Sequence, residues 1–318
     1  MKFITAVCLF LLPVVGSPTV ARAACETPMQ ALDEAIAAGS EARIDHAMVD
    51  IQSSMECDGS DVGKARSIVS DWLVPSPSEP NKISSLNDEQ KRRLDKAYGL
   101  HSDWRVSILF GDVALADGNC RGAAEAYLDA IRQIDSMDRQ SAADTTSAGA
   151  IPSQGELAQL TLKIDEARHL AASGPNPVLV ATIHERDGSI GGVYSPALNR
   201  GPVALHVPVP ILFEYDSTAF TQLGKQATDE LIELFKQRRP SEIAIVGHTD
   251  RVGSDTYNKD LSLRRARAVA QILIDQGIQA HIVVAGMGKS EPRRISDASR
   301  YTQDQIDQLN RLVEFSWK

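Results

Sequence analysis

Several features common in other protein classes are scarce or missing from this sequence. After the first 20 residues no apolar run is long enough to span a membrane. The formal net charge of the 318 residues is -9, so there is no basic surplus to bind nucleic acid or an anionic membrane surface. No glycine-rich phosphate loop appears, and no Ser/His/Asp or Cys/His arrangement has a supporting context. These absences argue against nucleic-acid binding, a membrane span in the mature chain and the common hydrolytic enzymes.

The first 23 residues have the layout of a secretory signal peptide. Lys2 precedes an apolar run, and a small-x-small cleavage site ends at Ala23. The alternative is a lipoprotein signal, which would end at Cys25. Arg22 argues against it, because a lipoprotein signal has an aliphatic residue at that position. We therefore predict residues 1–23 to be removed without lipidation and the chain to cross the inner membrane to the periplasm, with association with the outer membrane left open.

Cysteine is also scarce, and three cysteines remain after the predicted cleavage. If residues 26–56 form two antiparallel helices, Cys25 and Cys57 lie at the same end of the pair. A disulfide between them would be worth about 3.5 kcal/mol on the chain-entropy model. Cys120 is then free or bonded to another molecule. None of these cysteines has a ligand-like neighbour at short spacing, so we predict neither a metal site nor a cofactor.

Apolar residues at helical spacing predict a helical domain over residues 24–172. Within it, Gly111, Ala123, Tyr127 and Ala130 have the spacing of the small and aromatic packing positions of a tetratricopeptide repeat. The resemblance covers one repeat, and a generic helical hairpin gives similar patterns. Because such repeats bind partner peptides, the region is either a site for a protein partner or a helical spacer.

The pattern changes at "SGPNP", residues 173–177, which predicts a domain boundary. Residues 173–202 are predicted to be a linker with a β-hairpin around Asp187. From 203 to 318 strand and helix patterns alternate, as in a sheet with helices packed on it. The predicted fold class is α + α/β: a helical-hairpin N-terminal domain followed by a βαβαβ domain with helices on a mixed sheet.

One predicted helix, residues 258–273, has a charged residue in its apolar stripe. At about 3.6 residues per turn, Leu261 and Val269 fall on one arc and Arg265 lies in the middle of it. A guanidinium that faces a core is costly unless a partner neutralises it. Asp250 directly follows a predicted strand, and we expect it to meet Arg265 across a pocket with room for a ligand.

Four ordered motifs resemble OmpA-like peptidoglycan-binding domains, a family that includes outer-membrane OmpA, peptidoglycan-associated lipoprotein and the flagellar stator protein MotB. The motifs are "ILFEYDSTAFTQLGKQATDELI", "IVGHTDRVGSDTYNKDLSLRRARAV", "GMGKSEP" and "NRLVEF", over about residues 208–317. The family usually ends with Asn-Arg-Arg-Val. Here Leu312 follows Arg311, so any ligand contact from the second arginine is absent. We find no motif in residues 293–309.

The resemblance implies binding of meso-diaminopimelate in the peptide stem of peptidoglycan. The free end of this residue is a zwitterion, with an ammonium and a carboxylate on one carbon. Asp250 would bind the ammonium and Arg265 the carboxylate, through a two-pronged contact. Asn258 would supply an amide contact and Leu261 a wall, and Arg311 is the remaining predicted ligand residue.

The principal prediction is a non-catalytic cell-envelope protein that binds peptidoglycan and links it to an envelope protein through the helical domain. One alternative is a periplasmic protein–protein scaffold whose OmpA-like fold is mainly architectural. Another is that Asp250 and Arg265 form an ion pair that only fixes a loop. A third places a metal site or a hydrolase at His248 and Asp250, although His248 has no second ligand cluster in the sequence.

Overall fold

The computed structural model describes residues 25–74, 86–101, 103–141, 152–174, 176–178, 180, 207–209, 212–214 and 216–318. The chain divides into two compact units, Met1–Leu73 and Val74–Lys318. The predicted signal peptide and the predicted hairpin around Asp187 lie outside the described residues.

The described part of the first unit consists of helices α1 (Glu26–Ala37), α2 (Glu41–Ser53) and α3 (Gly59–Leu73). Their core is made by the buried apolar side chains Leu32, Ala35, Ile44, Ile51, Ala65, Val69 and Leu73. The predicted disulfide is present, since Cys25 is bonded to Cys57. It ties the start of α1 to the segment between α2 and α3. Cys120, in the second unit, is a free thiol.

The second unit begins with helices α4 (Asp88–Gly99), α5 (Trp104–Ala116), α6 (Cys120–Ser141) and α7 (Gln154–Ser173). Capping boxes are formed at Asn87 and at Ser153, the N-cap residues of α4 and α7. The small and aromatic positions of α5 and α6 meet, because a Cβ on Gly111 would lie 2.5 Å from Cε1 of Tyr127. The likeness to a tetratricopeptide repeat stays a prediction.

A four-stranded mixed sheet follows, with strands in the order β1–β4–β2–β3. The strands are β1 (Val207–Val209), β2 (Glu242–His248), β3 (His281–Gly288) and β4 (Val313–Trp317). β2 and β3 are parallel, whereas β4 is antiparallel to both β1 and β2. The other elements are α8 (Gln222–Arg238), α9 (Asp255–Asp275), a short 3-10 helix (Ala298–Arg300) and α10 (Gln303–Asn310). The mixed sheet with packed helices confirms that part of the predicted fold.

Helix α9 lies close to β2 and β3 because glycines face it. A Cβ on Gly247 would lie 2.2 Å from the carbonyl oxygen of Ser262, and a Cβ on Gly286 would lie 2.5 Å from the backbone nitrogen of Leu263. The hydroxyl of Ser262 also accepts a 2.9 Å hydrogen bond from the N–H of Gly288. These contacts hold the first half of α9 over the C-terminal ends of the two parallel strands.

We expect Gly247→Ala to destabilise the second unit by about 1–3 kcal/mol, the usual cost of overpacking. The added methyl group would overlap a backbone carbonyl that cannot rotate away. The matched control is Gly155→Ala, because a Cβ on Gly155 would only make an ordinary contact of 3.9 Å with Oγ of Ser153 and alanine favours a helix. Denaturant unfolding would be followed by Trp fluorescence in a Trp72→Phe background, so that the signal comes from the second unit. Equal stability of the two variants would contradict the close approach.

Helix α7 packs against the segment around α10 through buried polar residues. Asp165 forms a buried ion pair with Arg293, and the carboxylate of Glu166 accepts hydrogen bonds from Ser296 and from the hydroxyl of Tyr301. The helical region and the sheet therefore share one compact unit. The predicted domain boundaries at residues 172 and 203 imply that the domains on either side fold independently, and they stay a prediction.

Candidate functional site

The second unit contains a cleft of about 850 Å³ beside the C-terminal end of β2. It is lined by all five residues predicted to bind a ligand: Asp250, Asn258, Leu261, Arg265 and Arg311. The structure thus brings together side chains from three parts of the chain. Their individual roles toward a ligand stay predictions.

Asp250 lies in the turn that follows β2, and its carboxylate is fixed from two sides. Oδ1 accepts a 2.9 Å hydrogen bond from the N–H of Val252, and Oδ2 accepts a 2.8 Å ion-pair hydrogen bond from Nη1 of Arg311. The side chain of Asn258 closes the same turn, because its Nδ2 donates to the carbonyl of Val252 at 2.8 Å. The buried side chain of Asn258 thereby stabilises the loop that carries Asp250.

Arg265 is 7% exposed and faces the cleft from α9. Its Nε donates to the carbonyl of Ser217 at 3.0 Å and its Nη2 to the carbonyl of Glu214 at 3.4 Å. The guanidinium also lies 5.0 Å from the ring centroid of Phe213, within the range of a cation–π contact. Burial lowers the pKa of Arg265, and the charge of Arg311 acts in the same direction.

The direct partners of Arg265 therefore differ from the carboxylate expected from the sequence. Two backbone carbonyls receive its hydrogen bonds, and the ion-pair partner of Asp250 is Arg311. Asp250 still acts on Arg265 through space, because its charge raises the pKa of that guanidinium. The segment before α8 that provides the carbonyls carries no sequence signal for this role, since a backbone oxygen is available at every residue.

The cleft combines charges of both signs with apolar surface. Arg265 and Arg311 contribute two guanidinium groups, whereas Asp250 and Asp216 contribute carboxylates. Leu261 is buried and forms part of the wall, as predicted from its position on α9. A carboxylate and guanidinium groups in one cleft suit a ligand that carries an ammonium and a carboxylate close together.

The last turn of α7 also lines this cleft, which the sequence patterns did not indicate. His169, Ala172 and Ser173 belong to the lining. His169 is buried, and its Nε2 lies 2.8 Å from the carbonyl oxygen of Gln308 on α10. Because a carbonyl oxygen only accepts hydrogen bonds, Nε2 is the protonated nitrogen of the neutral ring.

Burial lowers the pKa of His169 to about 3, and the charges of Arg293 and Arg311 act in the same direction. The unfolded chain, in which the pKa of this histidine is near 6.5, binds more protons between pH 3 and pH 6.5. The resulting stability is therefore full above about pH 6.5 and is lost as the pH falls toward 3.

We expect the wild type to lose about 3 kcal/mol more stability than His169→Gln between pH 7 and pH 4, at about 1.4 kcal/mol per pH unit. Glutamine does not titrate, so the variant lacks this pH-dependent contribution to stability, whereas its amide can still donate a hydrogen bond. Denaturant unfolding of both proteins at pH 7, 5.5 and 4 would measure the difference. Parallel pH dependences would contradict a buried neutral ring.

His248, the residue of the alternative metal hypothesis, is buried at the end of β2. Its Nδ1 lies 2.8 Å from the carbonyl oxygen of Glu291, and its Nε2 is 3.6 Å from the carboxylate of Glu314. Among the residues that the structure describes, no three His, Cys, Asp or Glu side chains are grouped as ligands of a metal ion.

The comparison with protein families identifies the part of the chain that carries most of this cleft. Residues 212–304 match the OmpA family. They form a C-terminal OmpA-family domain, whereas α7 lies before the matched segment and Arg311 after it.

Two curated relatives match part of the chain. Outer membrane protein A of Shigella flexneri is 32% identical over 163 residues, which cover 49% of this chain and 45% of that protein. Outer membrane protein A of Shimwellia blattae is 39% identical over 107 residues, covering 33% of this chain and 42% of that protein. The chain thus spans less than half the length of these two relatives.

A solved structure of similar type is the peptidoglycan-associated lipoprotein from Burkholderia pseudomallei. It is 23% identical, covers 39% of this chain and 95% of its own, and has a TM-score of 0.28. A putative MotB-like protein from Desulfovibrio vulgaris is 22% identical over 52% of this chain and 94% of its own, with a TM-score of 0.30.

Proposed function

We propose that this protein is a non-catalytic component of the cell envelope that binds peptidoglycan through the cleft. The observation that carries the proposal is the meeting of Asp250, Arg265 and Arg311 in one cleft of an OmpA-family domain. OmpA-like domains are associated with peptidoglycan, as the sequence motifs already implied. The protein therefore belongs to a class that holds the cell wall without reacting with it.

The ligand in this proposal is the zwitterionic end of meso-diaminopimelate. Its ammonium would bind the carboxylate of Asp250, whose oxygens each have a further lone pair beside the bonds to Val252 and Arg311. Its carboxylate would bind the guanidinium of Arg265, with Arg311 as a second cation in reach of the cleft. Burial of Arg265 strengthens this contact, because water competes less for a desolvated charge.

The helical part of the chain would bind a second envelope protein, in line with its likeness to a tetratricopeptide repeat. The predicted signal peptide would place the protein in the periplasm, with or without contact with the outer membrane. None of the helices that the structure describes combines the length and hydrophobicity needed to cross a bilayer.

Co-sedimentation of the full mature chain with purified sacculi tests the proposal. We expect the wild type to sediment with sacculi that contain diaminopimelate and to remain in solution with sacculi that contain lysine instead, because lysine lacks the second carboxylate. Soluble meso-diaminopimelate should compete with the sacculi. If the chain ignores both kinds of sacculi, the alternative of a protein–protein scaffold with an architectural OmpA-like fold is favoured.

A further inference from the structure

We propose that the ligand site is composite: the last turn of α7 forms a wall of the cleft and, through His169, holds Arg311 in place beside Asp250. This inference rests on the proposed function, because it concerns the same cleft. It goes beyond the proposed function in two ways. It assigns to the site residues that lie before the OmpA-family segment 212–304, and it infers a ligand longer than the free amino acid.

The first step is the contact between α7 and the end of α10. The carbonyl oxygen of Gln308 lies 2.8 Å from Nε2 of His169 and also accepts the N–H of Arg311 at 3.1 Å. Helix α10 ends at Asn310, so Arg311 is the residue that caps it. One carbonyl thus connects the buried ring of His169 to the backbone of Arg311.

The second step concerns the contacts that hold the end of the short helix α10. The helix has 8 residues, and the side chain of Asn310 accepts a 2.9 Å hydrogen bond from the N–H of Arg293. Arg251 pairs with Asp307 at 3.1 Å, but the Arg251 side chain is 65% exposed, and exposed pairs contribute little. The hydrogen bond from His169 comes from a ring that is 1% exposed, so it holds the C-terminal turn more strongly than the exposed pair does.

The third step is that this donor is present under ordinary conditions. The ring of His169 stays neutral at neutral pH because burial lowers its pKa to about 3. Nε2 carries the proton that the carbonyl of Gln308 needs. The carbonyl of Gln308 therefore keeps this donor at neutral pH.

The fourth step concerns the wall itself. Ala172, Ser173, Gly174 and Pro177 line the cleft next to His169, and none of them is charged. The cleft of about 850 Å³ is near the upper end of the roughly 300–1,000 Å³ range of small-molecule sites, so it has room beyond a zwitterionic amino-acid end. An uncharged wall fits the uncharged part of a peptide, and the inferred ligand is a peptide stem that continues along α7.

The test uses the full mature chain and a soluble diaminopimelate-containing muropeptide, with affinity measured by titration calorimetry. We expect His169→Leu to weaken binding about tenfold, the equivalent of one lost hydrogen bond of about 1.4 kcal/mol. His169→Gln should restore binding to within about threefold, because its amide N–H can reach the same acceptor.

The matched control is Tyr301→Phe. It removes the 2.7 Å hydrogen bond to Glu166 at the same interface between α7 and the α10 segment, and Tyr301 is not part of the cleft lining. A structural role of the interface alone would affect both positions, whereas we expect Tyr301→Phe to bind within about twofold of the wild type.

A second variant tests the wall. Ser173→Phe adds a ring at a half-buried position of the cleft lining. We expect it to weaken muropeptide binding about tenfold or more and to leave free meso-diaminopimelate within about twofold, because only the longer ligand extends along α7.

The outcomes separate the inference from the proposed function. Wild-type affinity in a folded His169→Leu variant would overturn the composite site and leave the proposed function intact. Equal losses in His169→Leu, His169→Gln and Tyr301→Phe would also overturn it, because general loosening of the interface would explain them. If Ser173→Phe weakened the binding of both ligands equally, or of neither, the inference that α7 forms a wall of the site would be overturned. Absence of muropeptide binding by the wild type would overturn the proposed function itself.

Discussion

Asp250→Asn and Arg265→Ala should each weaken binding of the full chain to purified sacculi by about 30-fold to several-thousand-fold. The loss corresponds to about 2–5 kcal/mol, the usual cost of removing one partner of a desolvated charge pair. Arg265 is 7% exposed, so water reaches its guanidinium poorly and the pair with the ligand carboxylate would be desolvated. Binding isotherms with a fixed amount of sacculi would give the affinities.

The choice of substitutions keeps folding separate from binding. Asp250→Asn preserves a side-chain oxygen for the N–H of Val252, and it removes the negative charge together with the oxygen that accepts from Arg311. The matched control is Arg264→Ala, next to Arg265 on the exposed face of α9, where Arg264 pairs with Asp260 at 2.9 Å. An exposed pair is worth under about 1 kcal/mol, so this control should lose less than about fivefold in affinity.

Two results would contradict this prediction. Equal losses for Arg264→Ala and Arg265→Ala would mean that α9 contributes only to folding or to general electrostatic attraction. Wild-type binding by Asp250→Asn would mean that the carboxylate only fixes its loop and that its ion pair with Arg311 is structural. Circular dichroism of each variant must show the wild-type fold for the comparison to count.

Arg293→Met should destabilise the second unit by about 3–5 kcal/mol, because it leaves Asp165 buried without its cation. Both side chains are almost inaccessible, with Asp165 4% and Arg293 6% exposed. The double variant Asp165→Leu/Arg293→Met should recover most of this loss, since replacing a whole buried pair by apolar residues is often neutral or stabilising. Denaturant unfolding of the three variants completes a double-mutant cycle.

The cost of Arg293→Met should also depend on pH. Burial raises the pKa of Asp165 to about 6 even though Arg293 lowers it, so removing Arg293 raises that pKa further. At pH 5 the carboxyl group can then be neutral, whereas at pH 8 it must either stay charged or take up a proton at a cost. The destabilisation should therefore increase with pH, and a constant value from pH 5 to pH 8 would contradict a buried unpaired carboxylate.

An exposed ion pair of the same unit provides the control. Lys91 and Asp117 are 2.7 Å apart, with side chains 34% and 48% exposed. Lys91→Met should cost under about 1 kcal/mol, because water and salt screen such a pair. If Lys91→Met and Arg293→Met cost the same, burial does not decide the strength of these pairs.

Local features of this fold could be predicted because their signals lie within a few residues. The capping boxes at Asn87 and Ser153 follow from side-chain chemistry over one helical turn. The helix predicted from periodicity over residues 258–273 lies within α9, which runs from Asp255 to Asp275. Its start is set by Ser254, whose side chain accepts the N–H of Tyr257.

The site could be predicted only where a charged residue breaks a pattern. Arg265 was conspicuous because it occupies an apolar arc, and the structure does bury it. Its hydrogen-bond partners, the carbonyls of Ser217 and Glu214, have no residue-specific signature. His169 and Gln308 are 139 residues apart, and the pattern of either helix alone does not determine which face meets the other. Contacts of that kind require the three-dimensional structure.

The position of β4 in the sheet has a consequence for the order in which the chain can assemble. β4 lies between β1 and β2, yet it follows all the other described strands in the sequence. Until residues 313–317 have been synthesised, β1 has no neighbour among the described strands and β2 lacks its partner on one edge. Arg311 immediately precedes β4, so the cation beside Asp250 arrives at the same moment. An incomplete chain therefore has no finished cleft, and the ligand proposed above can bind only after the sheet has closed.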